Sequence, residues 1–450
     1  MNTQTKYLVA VIGAGPAGLF AARELATQNV DVTLINRDIK PGGLAEYGIY
    51  PEKYRMKEGL RAQFRQILAL DSIHYYGNLK VGERGDLKLS DLRSLGFQAI
   101  LVTVGAQSTK WLGLPGENLD GVYHAKDLVY HYNQLPPFSQ QEFHIGRRVA
   151  VIGAGNVMLD ISRYLSTLPQ VEEINAIIRR GPAEIKFGRA ELEYIAQLLD
   201  LQNLNAEMQR ADPIMRALSQ KPEDFMGFVN QALSRACSNT SKASFRLRFL
   251  VSPTRIVDNG HGQILGLELE ENSLTLENDE VKASSLGTSH ILDVDTVVFA
   301  IGDRVDRDFG IPVQGSEYAK NPEPQFPIDG NSYEAFDPKS NSPLPGLFVA
   351  GWSRKASSGL VGVARKDGVS GARAVLQYLQ QSCTPTSVSP DQISRYLHNI
   401  SPLLVTQTDL IHLEAVERER AQQLGLVDFK FGSDQEMLEA VGLLPEVRSG

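Results

Sequence analysis

The stretch Tyr7-Leu8-Val9-Ala10-Val11-Ile12-Gly13-Ala14-Gly15-Pro16-Ala17-Gly18 decides the fold. Tyr7 to Ile12 is a short apolar run of the kind shown by a parallel strand buried on both faces, and the glycines after it open a helical pattern that runs through Thr27. A second apolar run, Val30 to Ile35, completes a strand, helix and parallel strand. A glycine loop at such a turn suits a pyrophosphate. Gly13 allows the sharp turn, Gly15 lets the backbone approach the phosphate, Gly18 lets the helix pack on the strand, and the helix N-terminus brings unpaired N–H groups.

The same grammar recurs at Arg148 to Ile152, Gly153-Ala154-Gly155-Asn156-Val157-Met158, a helical stretch to Leu168 and a strand-like Ile174 to Ile178. Two further apolar strands end in glycine, Ala99 to Gly105 and Val297 to Gly302, and read as chain crossings between domains. The expected fold class is α/β, with two Rossmann-like dinucleotide-binding domains, the second inserted into a discontinuous first. Residues 1–106 and 331–450 form the first domain and 107–330 the second, with helices at Leu410 to Leu424 and Asp434 to Leu443 covering the first.

Composition limits what such a chain does. Its 450 residues call for two or three cores, and 42% hydrophobic with 22% charged residues excludes wholesale disorder and a coiled-coil rod. A net charge of −8 argues against a nucleic-acid binder. Cys237 and Cys383 are the only cysteines and form no CxxC, so a thiol redox pair, an iron–sulfur cluster and a metal site lose their basis, and redox chemistry needs an organic cofactor. Leu8 to Ala22 could pass for a signal-peptide core, but its glycines and Pro16 fit a strand and turn better. No run reaches the length of a membrane span, and the expected location is the cytoplasm, or an organelle matrix with the presequence missing.

The two units differ at the end of the second strand of each. In the first, the carboxylate expected there to bind ribose hydroxyls is replaced by Asn36, which either accepts one hydroxyl hydrogen bond, with Asp38 nearby, or closes a turn. In the second unit Arg179-Arg180-Gly181-Pro182 stands there, and two guanidinium forks suit a 2′-phosphate, so NADPH is expected over NADH. Met158 replaces the third glycine, a larger side chain than this contact normally accepts.

Four segments carry a resemblance: Pro41-Gly42-Gly43-Leu44-Ala45-Glu46-Tyr47-Gly48-Ile49-Tyr50-Pro51, Gly153 to Asp160, Arg179 to Pro182 with Glu191 beyond, and Gly351-Trp352 followed by Gly359-Leu360-Val361. Together they make the chain resemble the adrenodoxin-reductase-type ferredoxin–NADP+ reductases, two-domain flavoproteins related to the small subunit of glutamate synthase. The resemblance implies an FAD site from Gly13, Gly15, Ala17, Gly18, Asn36, Gly43, Leu44, Gly48, Gly105, Gly351, Trp352, Gly359, Leu360 and Val361. It implies an NADPH site from Gly153, Gly155, Asn156, Val157, Arg179, Arg180 and Glu191. Trp352 is either a flavin neighbour or a core tryptophan.

The catalytic candidates are Lys53, Asp160 and Glu191. Lys53 stands where the family often carries a histidine, and Tyr194 where a glutamate is frequent. Lys53 either pairs with an acid or stabilises reduced flavin, or it is a surface lysine; Asp160 faces either the cleft or solvent. The implied activity is an NADPH-dependent flavoprotein reductase that passes electrons through FAD to ferredoxin or flavodoxin, the nicotinamide lying against the flavin. The alternatives are a dehydrogenase subunit of a larger, glutamate-synthase-like oxidoreductase and a dinucleotide-binding sensor without turnover. Arg235, Lys242, Arg246, Arg248 and Arg255 lie in a stretch without Asp or Glu, and form either a docking face for an acidic carrier or a solvated sheet edge.

Overall fold

The computed structural model describes residues 6–356 and 359–445. The described residues fall into two compact units: one from 6–109, 130–140, 303–356 and 359–445, the other from Lys110–Val129 and Gln141–Gly302.

The first unit is built on a seven-stranded sheet in the order Glu334–Asp337, Ser342–Val349, Ala99–Val102, Tyr7–Ile12, Val30–Ile35, Ile73–Gly77 and Val405–Thr406. The five inner strands are parallel, and the two edge strands are antiparallel to their neighbours. The inner strands are apolar almost throughout because both faces are covered. On one face the helices Pro16–Ala26 and Val361–Ser382 pack together so closely that a Cβ on Gly368 would lie 2.1 Å from the Ala17 carbonyl oxygen. Chain direction reverses its progress across the sheet between Tyr7–Ile12 and Ala99–Val102. Such switch points open a crevice at the carboxyl ends of the strands.

The second unit has a five-stranded parallel sheet in the order Val122–His124, Thr296–Phe299, Arg148–Ile152, Glu173–Ile177 and Ser244–Arg248. Its switch point lies between Arg148–Ile152 and Thr296–Phe299. A three-stranded antiparallel sheet, Val251–Asp258, Ile264–Glu277 and Glu280–Leu292, accompanies it.

The division differs from the sequence reading in two places. The first unit resumes at Asp303 rather than near 331, because Asp303–Arg304 pairs with Ser108–Thr109 and the side chains of Val305, Phe309, Ile311 and Tyr318 are buried in its core. Tyr130–Gln140 also belongs to it, with Tyr130 and Leu135 packed on Tyr47. The boundary drawn from sequence followed the onset of proline-rich loops, whereas the chain crosses at Gly302. The C-terminal helices Gln407–Leu424 and Asp434–Ala440 lie in the first unit and give Leu410, Leu413, Met437 and Leu438 to its core. No helix among the described residues is long and apolar enough to cross a membrane.

Candidate functional site

In the first unit the glycine loop sits at the switch point. Gly13 has φ +101°, and a Cβ there would lie 2.7 Å from the Thr103 carbonyl oxygen at the end of the neighbouring strand. Thr103 Oγ1 donates to the carbonyl oxygens of Ile12 and Gly13 at 3.0 and 2.8 Å, tying the loop to that strand. A Cβ on Gly18 would stand 1.9 Å from the Gly13 oxygen, so the helix touches the loop backbone directly. Gly15 is the opposite case. It caps the helix Pro16–Ala26 with no side-chain bond, and a Cβ on it would meet nothing within 4 Å. The first-turn N–H groups therefore face open space framed by close-packed backbone, and a pyrophosphate fits that cradle.

Around the cradle other segments converge. Gly43, at φ +50°, brings the strip Leu44–Tyr47 against the Gly15 backbone, and Gly42 N–H donates to the Ala14 carbonyl at 2.7 Å. A Cβ on Gly48 would lie 2.7 Å from the Leu44 oxygen, which keeps the turn tight. Gly105 N–H donates to Ser353 Oγ at 3.0 Å, joining the Ala99–Val102 strand end to the turn Gly351–Ser353 that carries half-buried Trp352. Gly351, at φ +66°, lies over Ala17, and its N–H donates to Asp367 Oδ2. Gly359, at φ +75°, and exposed Leu360 precede a second uncapped helix end at Val361, again a place for an electron-rich group.

Asn36 is spent on the loop. Its Oδ1 accepts the Ala14 N–H at 3.0 Å, and its Nδ2 donates to the carbonyls of Asp38 and Lys40 at 2.8 and 3.1 Å. Of its two expected roles, the turn is the one its hydrogen bonds serve. Beside it a cavity of about 140 Å³ is lined by Arg37, Asp38, Tyr47, Leu135, Asp434 and neighbours. Asp38 faces this cavity with Arg37 at 2.8 Å, and burial together with Asp38 pushes the Asp434 carboxyl up.

The second unit repeats the cradle with different packing. Gly153 has φ +155°, and a Cβ there would lie 2.4 Å from the Ala300 oxygen across the switch point. Gly155 caps the helix Asn156–Ser166 without a side-chain bond, and a Cβ on it would meet nothing within 4 Å. The cradle suits a second pyrophosphate. Met158 is accommodated, fully buried, with its sulfur 3.7 Å from Ser162 Oγ, while Val157 beside it is exposed. Asn156 Oδ1 accepts the Gly188 N–H at 2.8 Å, and Lys186 N–H donates to the Ala154 carbonyl at 2.8 Å. These bonds pin to the glycine loop the segment that leads into the short helix Arg189–Leu192, which carries half-buried Glu191.

Arg179 is exposed and Arg180 half-buried just past the strand Glu173–Ile177. Their turn is fixed by Asn272, whose Nδ2 donates to the Arg179 carbonyl at 3.0 Å. The Glu184 carboxylate lies against this turn, its Oε2 3.0 Å from where a Cβ on Gly181 would stand, and its Oε1 accepts from Gln220, while neither arginine is ion-paired among the described residues, so their guanidiniums are left to an anion.

Asp160 lies half-buried on the helix Asn156–Ser166, and Lys53 half-buried at the end of the short turn Pro51–Lys53. The Tyr194 ring lies 4.0 Å under the Arg163 guanidinium. The lysine that stands out instead is Lys57, one helical turn past Lys53. It is 2% exposed, its Nζ donates to Asn133 Oδ1 at 2.7 Å, and burial pulls its ammonium down to about 7. Next to it Lys430 donates to the Glu46 carboxylate and carbonyl at 2.8 and 2.9 Å, and Arg61 holds Glu46 and Asp428. Thr103, Asp367, Asn272 and this buried charge network had no local sequence signature, because each acts through a residue distant in the chain.

The expected docking cations are largely spent inside the second unit. Arg246 binds Glu173 and Asp200 at 2.5 and 3.0 Å, Arg248 donates to Asn175 Oδ1 at 2.7 Å, and Arg255 pairs with Glu268. Arg235 and Lys242 remain exposed.

A family model described as pyridine nucleotide-disulphide oxidoreductase matches residues 7–211. The chain is 28% identical over 455 residues to NADPH-ferredoxin reductase FprA of Mycobacterium leprae (strain TN), covering 92% of this chain and 93% of that protein. It is 26% identical to mitochondrial NADPH:adrenodoxin oxidoreductase of Mus musculus, covering 96% and 91%. Among solved structures, Mycobacterium tuberculosis FprA in complex with NADPH superposes with a TM-score of 0.81 at 25% identity, over 97% of this chain and 99% of that one.

Proposed function

We infer that this chain, a homologue along nearly its whole length of the adrenodoxin-reductase-type ferredoxin–NADP+ reductases, is a flavoprotein reductase that passes electrons from NADPH through FAD to a ferredoxin-type carrier. The observation that carries the reading is the duplicated cradle: each unit has an uncapped helix end behind an open glycine, at its own sheet's switch point.

The residues divide by task. Gly13 to Gly18 would take the FAD pyrophosphate, Asp38 and the cavity beside it the adenosine, and Gly43 to Gly48, Gly351, Trp352 and Gly359 to Val361 the flavin end. Gly153 to Val157 would take the NADPH pyrophosphate, and Arg179 with Arg180 its 2′-phosphate by charge-assisted hydrogen bonds. When bound, FAD supplies what no side chain can, taking electrons in pairs and releasing them singly. The protein's part is orientation and the exclusion of water. No proton need pass through Lys53, Asp160 or Glu191 for the electron pair to move, and their proposed part is to hold charge near the reacting ends. The carrier, which we place with this enzyme in the cytoplasm, would need a cationic surface, and of the expected stretch only Arg235 and Lys242 stay exposed and outside any ion pair among the described residues, too few to form one.

A visible spectrum of the purified protein, followed by anaerobic titration with NADPH and then NADH, tests this. We expect a flavin band that NADPH bleaches at far lower concentration than NADH. A colourless protein, or a band that NADPH leaves unchanged, would overturn the reading.

A further inference from the structure

We propose that Arg23, Arg365 and Lys366, on the two helices that pack face to face in the first unit, form a landing surface for the acidic side of an iron–sulfur electron carrier; the proposal rests on the function inferred above. The helix Pro16–Ala26 has one carboxylate, Glu24, and the helix Val361–Ser382 has one, Asp367. Both are taken. Glu24 binds Arg373 at 2.8 Å, and Asp367 binds Arg354 at 2.5 Å while accepting from Tyr333 and from the Gly351 N–H. Arg23, Arg365 and Lys366 have no ion-pair partner among the described residues.

The two arginines are nevertheless held in place. Both guanidiniums lie against the buried ring of Phe20, with ring-centroid distances of 4.9 Å for Arg23 and 4.3 Å for Arg365. Like charges gathered on one ring without a carboxylate between them repel one another, a cost that an arriving anion removes. The chain as a whole carries −8, so an acidic partner is repelled by most of the molecule and drawn to this surface. Val363, three residues before Lys366 and so on the same helix face, is half-exposed and offers an apolar contact among the charges. Arg365 stands one turn into the helix that opens at Val361, the end of the strip proposed to hold the flavin, so the surface lies where electrons would leave.

The test compares two acceptors in the flavin-loaded protein. One is an acidic [2Fe–2S] ferredoxin; the other is menadione, which is neutral and needs no docking. In R23Q/R365Q/K366Q we expect the KM for ferredoxin to rise about tenfold at low ionic strength, the low end of electrostatic steering, and its dependence on salt to flatten. NADPH:menadione turnover should stay at the wild-type level. The charge-retaining R23K/R365K should keep the wild-type ferredoxin KM, and the single exposed substitution K366E should raise it without touching the Phe20 contacts. An unchanged ferredoxin KM and salt slope in the triple variant, with menadione turnover intact, overturns the landing surface and leaves the reductase reading standing. A wild-type protein that reduces neither acceptor with NADPH overturns both.

Discussion

Asp367 accepts the backbone N–H of Gly351 at 2.6 Å while its other oxygen takes the Arg354 guanidinium and the Tyr333 hydroxyl. One carboxylate thus fixes a glycine at φ +66° over Ala17, at the point where two packed helices meet the turn Gly351–Ser353. Removing its charge strands Arg354, whose side chain is 14% exposed. D367N should lower unfolding free energy in urea by about 3 kcal/mol, the low end for breaking a buried pair, and release free, fluorescent flavin at lower denaturant than wild type. Equal midpoints and equal flavin release would remove Asp367 from this role.

Gly15 and Gly18 make opposite predictions. A methyl at Gly15 meets no protein atom and only fills the open space before the helix, so G15A should match wild-type apoprotein stability within about 0.5 kcal/mol yet hold FAD at least tenfold more weakly. A methyl at Gly18 collides with backbone, so G18A should destabilise even the apoprotein by about 1–3 kcal/mol, the range for overpacking. Apoprotein melting and flavin titration separate the two. Unaltered flavin affinity in G15A would mean the phosphates lie elsewhere.

For the second cradle the discriminating measurement is a ratio. Each guanidinium on a phosphate contributes about 1.5–3 kcal/mol, so R179Q and R180Q should each raise the KM for NADPH at least tenfold and leave that for NADH within a factor of about two. Equal effects on both nucleotides would place the 2′-phosphate away from this turn.

Lys57 yields a dependence on pH. Burial lowers its ammonium to about 7, against the ordinary lysine value, while Asn133, Lys430, Glu46, Arg61 and Asp428 surround it. Below pH 7 folded and unfolded chains both hold the proton, and the folded state bears the whole cost of burying the charge. Between pH 7 and the ordinary lysine range only the unfolded chain holds it, so stability rises with pH. Urea midpoints of wild type relative to K57M should therefore climb from pH 7 to pH 10, and parallel curves would contradict the buried ammonium.

The two glycine loops were legible because their chemistry is local: a strand, a turn that needs positive φ, and a helix end lie within a dozen residues. The place of Arg179 and Arg180 just past the strand Glu173–Ile177 was legible for the same reason, by their offset from Gly153, and the nucleotide ratio above tests what they bind. Arg246 was not, since Glu173 lies 73 residues away and Asp200 46 residues away, and a stretch without acids gives no hint of acids arriving from elsewhere. Sequence comparison singled out Lys53, whereas burial singles out Lys57, which needs Asn133 and Lys430 from two distant segments to be sealed in. The end of the second unit was misplaced because proline content marks loops, and the loops after Gly302 already pack in the first core.

Glu46, in the strip beside the first glycine loop, is gripped by Lys430, and Phe431, Met437 and Leu438 complete the core beneath it. During synthesis the ribosome must therefore deliver nearly four hundred further residues, the whole second unit among them, before this compartment can close. The first compartment stays open until that late segment has been made, whereas the inserted unit, whose residues are contiguous except for one short excursion, can close before it.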